Sequence, residues 1–457
     1  MTGIPDGLGA IKQGDDVVVF MNHELGQTSG TVRRHGEIGS FVSRLVLNPA
    51  TLRVKAGKDW INPGVRYWDY ASGGYASEPN AFIEGSVADL AAFARFCSAD
   101  LTGAGQLFNP STGSGFAGRL YFANEESGSE SRAFAVRPNG DAWQLPRLGL
   151  FSWENTLSAS STTDETVVMG NEDQSGPSST QNLSQLWVYS GRKQTTGTPV
   201  ARAGLTNGSN SVIQVGDGPL NDPGVRALIA ADPDGTVRFD LEEVDWNQSG
   251  VDQNSEALAE GMSLNRIEDG EFDPFDKNVY YFLTTEGSAE AGAVPPRDGG
   301  GLWRLTFDNV ERPALGGTLE LLLDGTVPVY SAAGGESSLN KPDNLTIDRH
   351  GNLLIQEDPG GNAHLARIVA YRMSDGKLGV VARFDPALFS GATPLTIDEE
   401  SSGIIDTESL LGAGTFLFDA QVHTANGLDD PATQVERGQL LKLRVSDWSA
   451  VYGPAPV

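Results

Sequence analysis

Val17-Val18-Val19-Phe20-Met21-Asn22-His23-Glu24 is a run of five apolar residues that stops abruptly on an amide, an imidazole and an acid. The pattern returns as Leu120-Tyr121-Phe122-Ala123-Asn124-Glu125-Glu126 and as Val167-Val168-Met169-Gly170-Asn171-Glu172-Asp173. It comes back as Val279-Tyr280-Tyr281-Phe282-Leu283-Thr284-Thr285-Glu286, as Leu353-Leu354-Ile355-Gln356-Glu357-Asp358, and as Phe416-Leu417-Phe418-Asp419-Ala420-Gln421. After a variable loop each copy is followed by a second strand-like segment: Phe41–Leu47, Ala133–Val136, Gln185–Tyr189, Gly301–Phe307, Leu365–Tyr371 and Gly438–Leu443. Strand, polar turn and strand, repeated without helical crossovers, is the signature of blades arranged around an axis. The expectation is an all-β, six-bladed β-propeller with loop and short-helix insertions. Ala227–Leu241 is the stretch that could supply strands for a seventh blade.

Composition agrees with many strands and tight turns, because glycine (56) and proline (24) are plentiful and helical periodicity is scarce. No apolar run reaches the roughly 18 residues that a membrane-spanning helix needs, so no membrane insertion is expected. The 60 acidic against 32 basic residues leave a net charge of −28, which argues against a nucleic-acid partner. A solvated acidic surface accounts for such a charge; a sharper account is that bound cations neutralise part of it, and oxygen-rich sites suit calcium. The single cysteine, Cys97, excludes an intrachain disulfide. No signal peptide is visible at Met1-Thr2-Gly3-Ile4-Pro5, which leaves an intracellular protein or a leader already removed.

The remaining segments read as insertions on that scaffold. Val87–Phe96 has helical spacing of apolar residues and predicts a short surface helix, while Gln174–Gln181 predicts a flexible loop. Trp246–Gly261 is polar with one weakly helical run, Ser255–Glu260. No linker divides the chain, so residues 1–457 are expected to form one domain, and a monomer is expected.

The innermost strands of a propeller line its channel, so six acid-tipped strands in that position would crowd carboxylates near the axis. Like charges at close range raise one another's pKa and are costly unless cations neutralise them. Glu24, Glu126, Asp173, Glu286 and Asp358 together therefore predict hard metal ions, although each one alone is an ordinary turn acid. Glu154, in Phe151-Ser152-Trp153-Glu154-Asn155, alone also reads as a turn acid. In Asn265-Arg266-Ile267-Glu268 the period of two puts Arg266 and Glu268 on one side of an extended segment. A guanidinium beside a metal-binding carboxylate suits an anionic substrate, since its planar fork grips phosphate oxygens; an ordinary surface ion pair is the bland alternative. Asp343 and Asn344 precede a strand and are placed to face the channel, with Asn344 as a substrate contact. For Cys97 a buried inert thiol stands beside a thiolate ligand to a transition metal. The five histidines show no HExxH spacing, and no P-loop, dinucleotide fingerprint or Gly-x-Ser-x-Gly elbow occurs in a suitable setting.

At these residues the chain resembles the PhoX-type alkaline phosphatases, a family of bacterial six-bladed propellers. The resemblance rests on Asp6-Gly7-Leu8-Gly9-Ala10 followed by Asn22-His23-Glu24, on the cysteine segment leading to Glu125-Glu126, and on Glu154. It continues through Arg266-x-Glu268 and Pro342-Asp343-Asn344 to Ile355-Gln356-Glu357-Asp358, in family order over nearly the whole chain. It implies a phosphomonoesterase site containing iron and calcium, with a cysteine thiolate among the iron ligands. By that resemblance Glu24, Glu126, Glu154, Glu268 and Asp343 are metal ligands, Cys97 an iron ligand and Arg266 the phosphate contact, with Arg266 and Glu268 as the catalytic pair. Asp358 joins the metal set from the carboxylate argument. Ser98-Ala99-Asp100-Leu101 after Cys97, and Trp153 before Glu154, depart from the usual family pattern and mark a divergent branch.

The expected function is a metal-dependent phosphoric-ester hydrolase acting on a small anionic phosphoester. A periplasmic or extracellular location follows from the resemblance, since exported members of the family carry cleaved leaders. The rival readings are a calcium-dependent lactonase-like propeller hydrolase, which Pro342-Asp343-Asn344-Leu345 also resembles, and a non-catalytic binding propeller stabilised by metals.

Overall fold

Both faces of Val17–Met21 are buried, and this is why the run is apolar without interruption. Val18 and Phe20 pack toward Phe96, Tyr121 and Phe134, whereas Val17, Val19 and Met21 pack toward Leu417 on the opposite side. The same division holds for Val168 against Val167 and Met169, and for Leu354 against Leu353 and Ile355. A strand covered on one face only would alternate apolar with polar residues; one covered on both faces reads as a continuous apolar run. Each such strand is therefore central in a sheet sandwiched between two neighbouring sheets.

The computed structural model describes residues 2–82, 90–174, 183–287, 297–325, 328–331, 334–358, 360 and 365–453. Its antiparallel sheets form six blades. The inner strands are Pro5–Gln13, Phe96–Leu101, Trp153–Ser158, Ile267–Phe272, Pro342–Ile347 and Glu399–Asp406. Each packs against the next, and the first packs against the sixth, so the ring closes around a channel. The second strands are Asp16–His23, Tyr121–Glu125, Glu165–Glu172, Val279–Gly287, Asn352–Glu357 and Thr415–Val422. All six acid- or amide-tipped runs of the sequence are these second strands, not the inner ones as expected. The inner strands escaped notice because they border the channel and carry polar and small residues such as Asp6-Gly7-Leu8-Gly9.

Each blade continues outward into a third strand: Phe41–Leu47, Ala133–Val136, Leu186–Arg192, Arg297–Phe307, Arg367–Arg372 and Arg437–Arg444. Five blades carry a fourth strand, and the sixth, among the described residues, has three. No seventh blade forms from 227–241. Residues Asp222–Ala231 are helical, and Thr236–Val244 bridges the outer edges of blades three and four, pairing with Ser209–Val215 and Gly317–Asp324 to make one nine-stranded sheet.

Two insertions also differ from expectation. Residues 87–89 of the expected 87–96 helix lie outside the described residues, and the remainder is not helical. Its apolar residues Ala92, Phe93, Ala94 and Phe96 are core, with Phe93 bridging Gly39 and Phe96 opening the inner strand of blade two. Tertiary burial produced a spacing that imitates a helix. Conversely, the weak helical run before Gly261 is a full helix, Gly250–Glu260, whose Ser249 side chain accepts from Asp252 N as an N-cap. Most of the expected 174–181 loop lies outside the described residues.

The polar endings of the second strands hold the blades together. Asn22 Nδ2 donates to Cys97 O at 2.7 Å, Asn124 Nδ2 to Thr156 Oγ1 at 2.7 Å, and Thr285 Oγ1 to Pro342 O at 2.9 Å. Gln356 Oε1 accepts from Ile404 N at 2.9 Å, and Gln421 Nε2 donates to Asp6 Oδ2 at 3.1 Å. Every one of these bonds runs to the inner strand of the next blade. Buried polar groups require partners, so the amides also fix how successive blades dock.

Candidate metal and active site

In all six blades the second residue of the inner strand carries a metal-binding side chain: Asp6, Cys97, Glu154, Glu268, Asp343 and Glu400. In the first five blades the pairing with the second strand shifts register immediately after that strand's first residue. A bulge inserts extra residues and re-aims the side chains it carries, which is how a strand otherwise committed to the ladder turns a ligand toward the axis. A second ring follows the ends of the second strands and includes Glu24, Glu126, Asp173 and Asp358.

Three donor groups arise where the rings meet. Asp6, Glu24 and Cys97 form one, Cys97, Glu126 and Glu154 a second, and Glu154, Glu268 and Asp343 a third; in each, one donor atom per residue lies within 4.8 Å of the others. Cys97 and Glu154 each belong to two groups, so the three positions are linked through shared ligands. The two groups containing the thiol suit a transition metal such as iron, and the all-carboxylate group suits calcium. These residues therefore fit the metals that the family resemblance implies.

The electrostatics favour a bound cation. Burial, followed by repulsion from Glu24, raises Asp6 to about 7. Burial raises Glu126 to about 8 despite the nearby Arg95, with Asp173 and Glu24 adding to the shift. Glu154, Glu268, Asp343 and Glu400 stand well above the ordinary carboxylate range, first through burial and then through one another and Asp358. Burial and the surrounding acids also push up the Cys97 thiol, whose Sγ lies 3.5 Å from Asp6 Oδ2. A cation bound among these groups would replace the protons they otherwise retain.

Arg266 does not lie on a regular extended segment. Its φ of 59° is in the left-handed region, one residue before the inner strand of blade four. Its guanidinium nonetheless reaches Glu268 Oε1 at 3.2 Å and Asp173 Oδ2 at 2.8 Å, which joins two acids of the mouth through one cation. Asp173, one of the acids expected to gather around cations, is thus brought to the same mouth. Glu286 lies in the strand Val279–Gly287, with its side chain outside the described residues.

Asn344, expected as a substrate contact, is engaged within the fold. Its Nδ2 donates to Ser98 Oγ at 2.6 Å, and its Oδ1 accepts from Ser402 Oγ at 2.8 Å and from Gly403 N at 3.1 Å. The buried amide ties blades two, five and six together, a structural task. Asp6, Glu400 and Arg95 were missed. Asp6 stood within a quoted motif, but its place in a repeating ring is visible only once the inner strands are known.

The family model "Alkaline phosphatase PhoX" matches residues 135–396, more than half of the chain. Among solved structures the fold is similar to that of Pseudomonas fluorescens PhoX in complex with vanadate, a transition state analogue. That likeness has a TM-score of 0.59 at 13% identity and covers 92% of this chain and 84% of that one. The GH93 α-L-arabinofuranosidase of Fusarium graminearum gives a TM-score of 0.41 at 8% identity, covering 98% of this chain and 94% of that one. No curated protein sequence matches. The matched residues include Glu154, Arg266, Glu268, Asp343 and Asp358, and the chain belongs to the PhoX family of alkaline phosphatases, enzymes that hydrolyse phosphoric esters.

Proposed function

We propose that this chain is a metal-dependent phosphomonoesterase whose reaction takes place at the acid-lined end of the propeller channel, with calcium and iron as its metals. The observation that carries the reading is the linkage of the three donor groups through Cys97 and Glu154, with Arg266 at their edge. A phosphoryl dianion would be repelled by so many carboxylates unless cations outnumbered their charge, so binding of substrate and of metal belong together.

Bound cations supply Lewis acidity, neutralising phosphoryl oxygens and lowering the pKa of water. The residues of the chain do the rest. Asp173 engages the Nε and Nη2 edge of Arg266, which orients the guanidinium and leaves its Nη1 amino group for a non-bridging phosphoryl oxygen. Glu154, Glu268 and Asp343 hold their oxygens together without needing to reorganise when charge develops. The attacking oxygen comes from water. Of the hydroxyls at the ring, Ser98 Oγ donates to Glu154 Oε1 at 2.5 Å while accepting from Asn344 Nδ2, and Ser402 Oγ donates to Asp6 Oδ1 at 2.6 Å, so both are committed within the fold. Family membership also supports a periplasmic or extracellular location, where calcium sites of modest affinity stay filled. Among the described residues no helix is long and apolar enough to cross a membrane.

Glu268→Gln tests the reading. The variant is expected to retain the circular dichroism of the folded propeller, to lose bound metal by elemental analysis, and to lose at least about 100-fold in kcat on a phosphomonoester. Full activity in a folded, metal-depleted variant would overturn it. Assays of a phosphomonoester, a phosphodiester and a lactone side by side separate the proposal from the lactonase-like alternative.

A further inference from the structure

Arg95 and Arg266 occupy the same place in their blades. Each immediately precedes an inner strand, Phe96–Leu101 or Ile267–Phe272, and each has a left-handed backbone, with φ of 42° and 59°. The carbonyl of each accepts from the backbone amide just beyond the first pair of that blade's ladder: Glu126 N for Arg95 and Thr285 N for Arg266, both at 2.9 Å. Each guanidinium also bridges one acid of the preceding blade and one of its own. Arg266 joins Asp173 to Glu268, and Arg95 joins Glu24 to Glu126, the latter at 2.7 Å. A left-handed conformation costs a residue with a Cβ about 1–2 kcal/mol. Ile4 and Lys341 have the same left-handed backbone and the same carbonyl bond before the inner strands of blades one and five, so this entry belongs to the fold. What sets Arg95 and Arg266 apart is a guanidinium held between two acids of the mouth.

The two differ in depth. The Arg266 side chain is 25% exposed and abuts the all-carboxylate donor group, whereas Arg95 is 47% exposed and sits beside the two groups that contain Cys97. Glu126 and Asp173 interact electrostatically, so the two arginines flank one continuous line of acids. A substrate whose transferred phosphoryl is held at the deeper arginine presents its leaving group toward solvent, where the shallower one stands.

We propose that Arg95 is a second anion-binding residue, which gives the site a preference for phosphoesters and phosphoanhydrides whose leaving group bears a further phosphoryl group. The proposal rests on the phosphomonoesterase reading and extends it to substrate class. Its planar fork can release one carboxylate and grip an oxygen of that outer phosphoryl while keeping the other pair.

The test uses the metal-loaded wild type, Arg95→Ala and Arg95→Lys, with metal content measured in each. Calorimetry compares inorganic phosphate, a probe with one anionic group, with methylenediphosphonate, a probe with two. In Arg95→Ala the diphosphonate affinity is expected to fall about tenfold more than the phosphate affinity, with partial recovery in Arg95→Lys. In turnover, the ratio of kcat/KM for a nucleoside diphosphate to that for phenyl phosphate should fall by the same factor. Equal weakening of both probes, an unchanged ratio, or metal loss that explains the whole effect would overturn the role of Arg95. A wild type that binds both probes but hydrolyses neither ester would instead overturn the phosphomonoesterase reading, so the two failures are distinguishable.

Discussion

Glu357 is fully buried, and Arg367, equally buried, meets its two oxygens at 2.8 and 2.6 Å. One residue later, Asp358 faces Asp343 and Glu400, both acids. The contrast is repeated in blade two. Arg132 clasps Glu125 at 2.7 Å through both Nε and Nη2, while Glu126 turns to the mouth beside Glu24 and Asp173. In blade three Glu172 accepts from Trp187 Nε1 at 2.9 Å and from Gln185 N at 3.1 Å, and Asp173 again faces outward. Each acid doublet therefore divides its work. The first member is neutralised or hydrogen-bonded within its own blade and serves the fold. The second stands at the mouth, among like charges in the case of Asp358 and paired with a rim arginine in the cases of Glu126 and Asp173. Pairing within its own blade makes an acid structural, whereas a place at the mouth leaves it available to a ligand.

The largest effect should come from breaking the internal member of a doublet. Arg367→Met strands the buried Glu357 and is expected to cost roughly 3–5 kcal/mol of stability, read as a shift of the denaturant midpoint. The double variant Glu357→Leu with Arg367→Met should recover most of that loss, because two apolar groups leave no orphan charge. A single variant with wild-type stability would erase the distinction drawn here.

The outward members predict a different response. Removing divalent cations with a chelator should lower the midpoint, and returning calcium should restore about 2.7 kcal/mol at a free concentration one hundred times its Kd. In chelator, Glu268→Gln should be at least as stable as wild type, since it removes one of several repelling acids. A calcium-insensitive wild type would mean that these acids are satisfied by protons alone.

What could be read in advance follows from this division. The six second strands were legible because burial on two faces writes a continuous apolar run, as in Val17–Met21. The inner strands were not, since a channel wall tolerates Gly7, Gly9, Ser98 and Asp269, which carry no apolar period. That is why the second strands were taken for the channel lining. Glu154, Glu268, Asp343 and Cys97 were reached through family order, and the geometry gathers them. Asp6 and Glu400 lay hidden because the rule that finds them, the second residue of each inner strand, presupposes those strands. The left-handed backbone at Arg95 and Arg266 has no sequence signal, since arginine is not a residue that announces positive φ.

The smallest effect concerns the lower channel, a third environment that lies between the two. All six inner strands line a cavity of about 370 Å³ there, with Asp100, Asp269 and Glu271 on its wall. Burial raises Asp100 to about 7, with Asp269 adding to it, and raises Glu271 to about 8. Between the ordinary carboxylate range and these values the folded chain binds more protons than the unfolded one. Stability contributed by neutral Asp100 is therefore complete at low pH and is lost as the pH rises toward 7. Asp100→Asn removes the titration while its amide oxygen can still accept a hydrogen bond. It should match wild type near pH 4 and gain on the order of 1 kcal/mol at pH 8, measured as a difference in Tm. An equal shift at both pH values would show that Asp100 is compensated within the fold, as Glu357 is. A difference confined to alkaline pH would place the lower channel with the mouth, as acid that the chain itself does not neutralise.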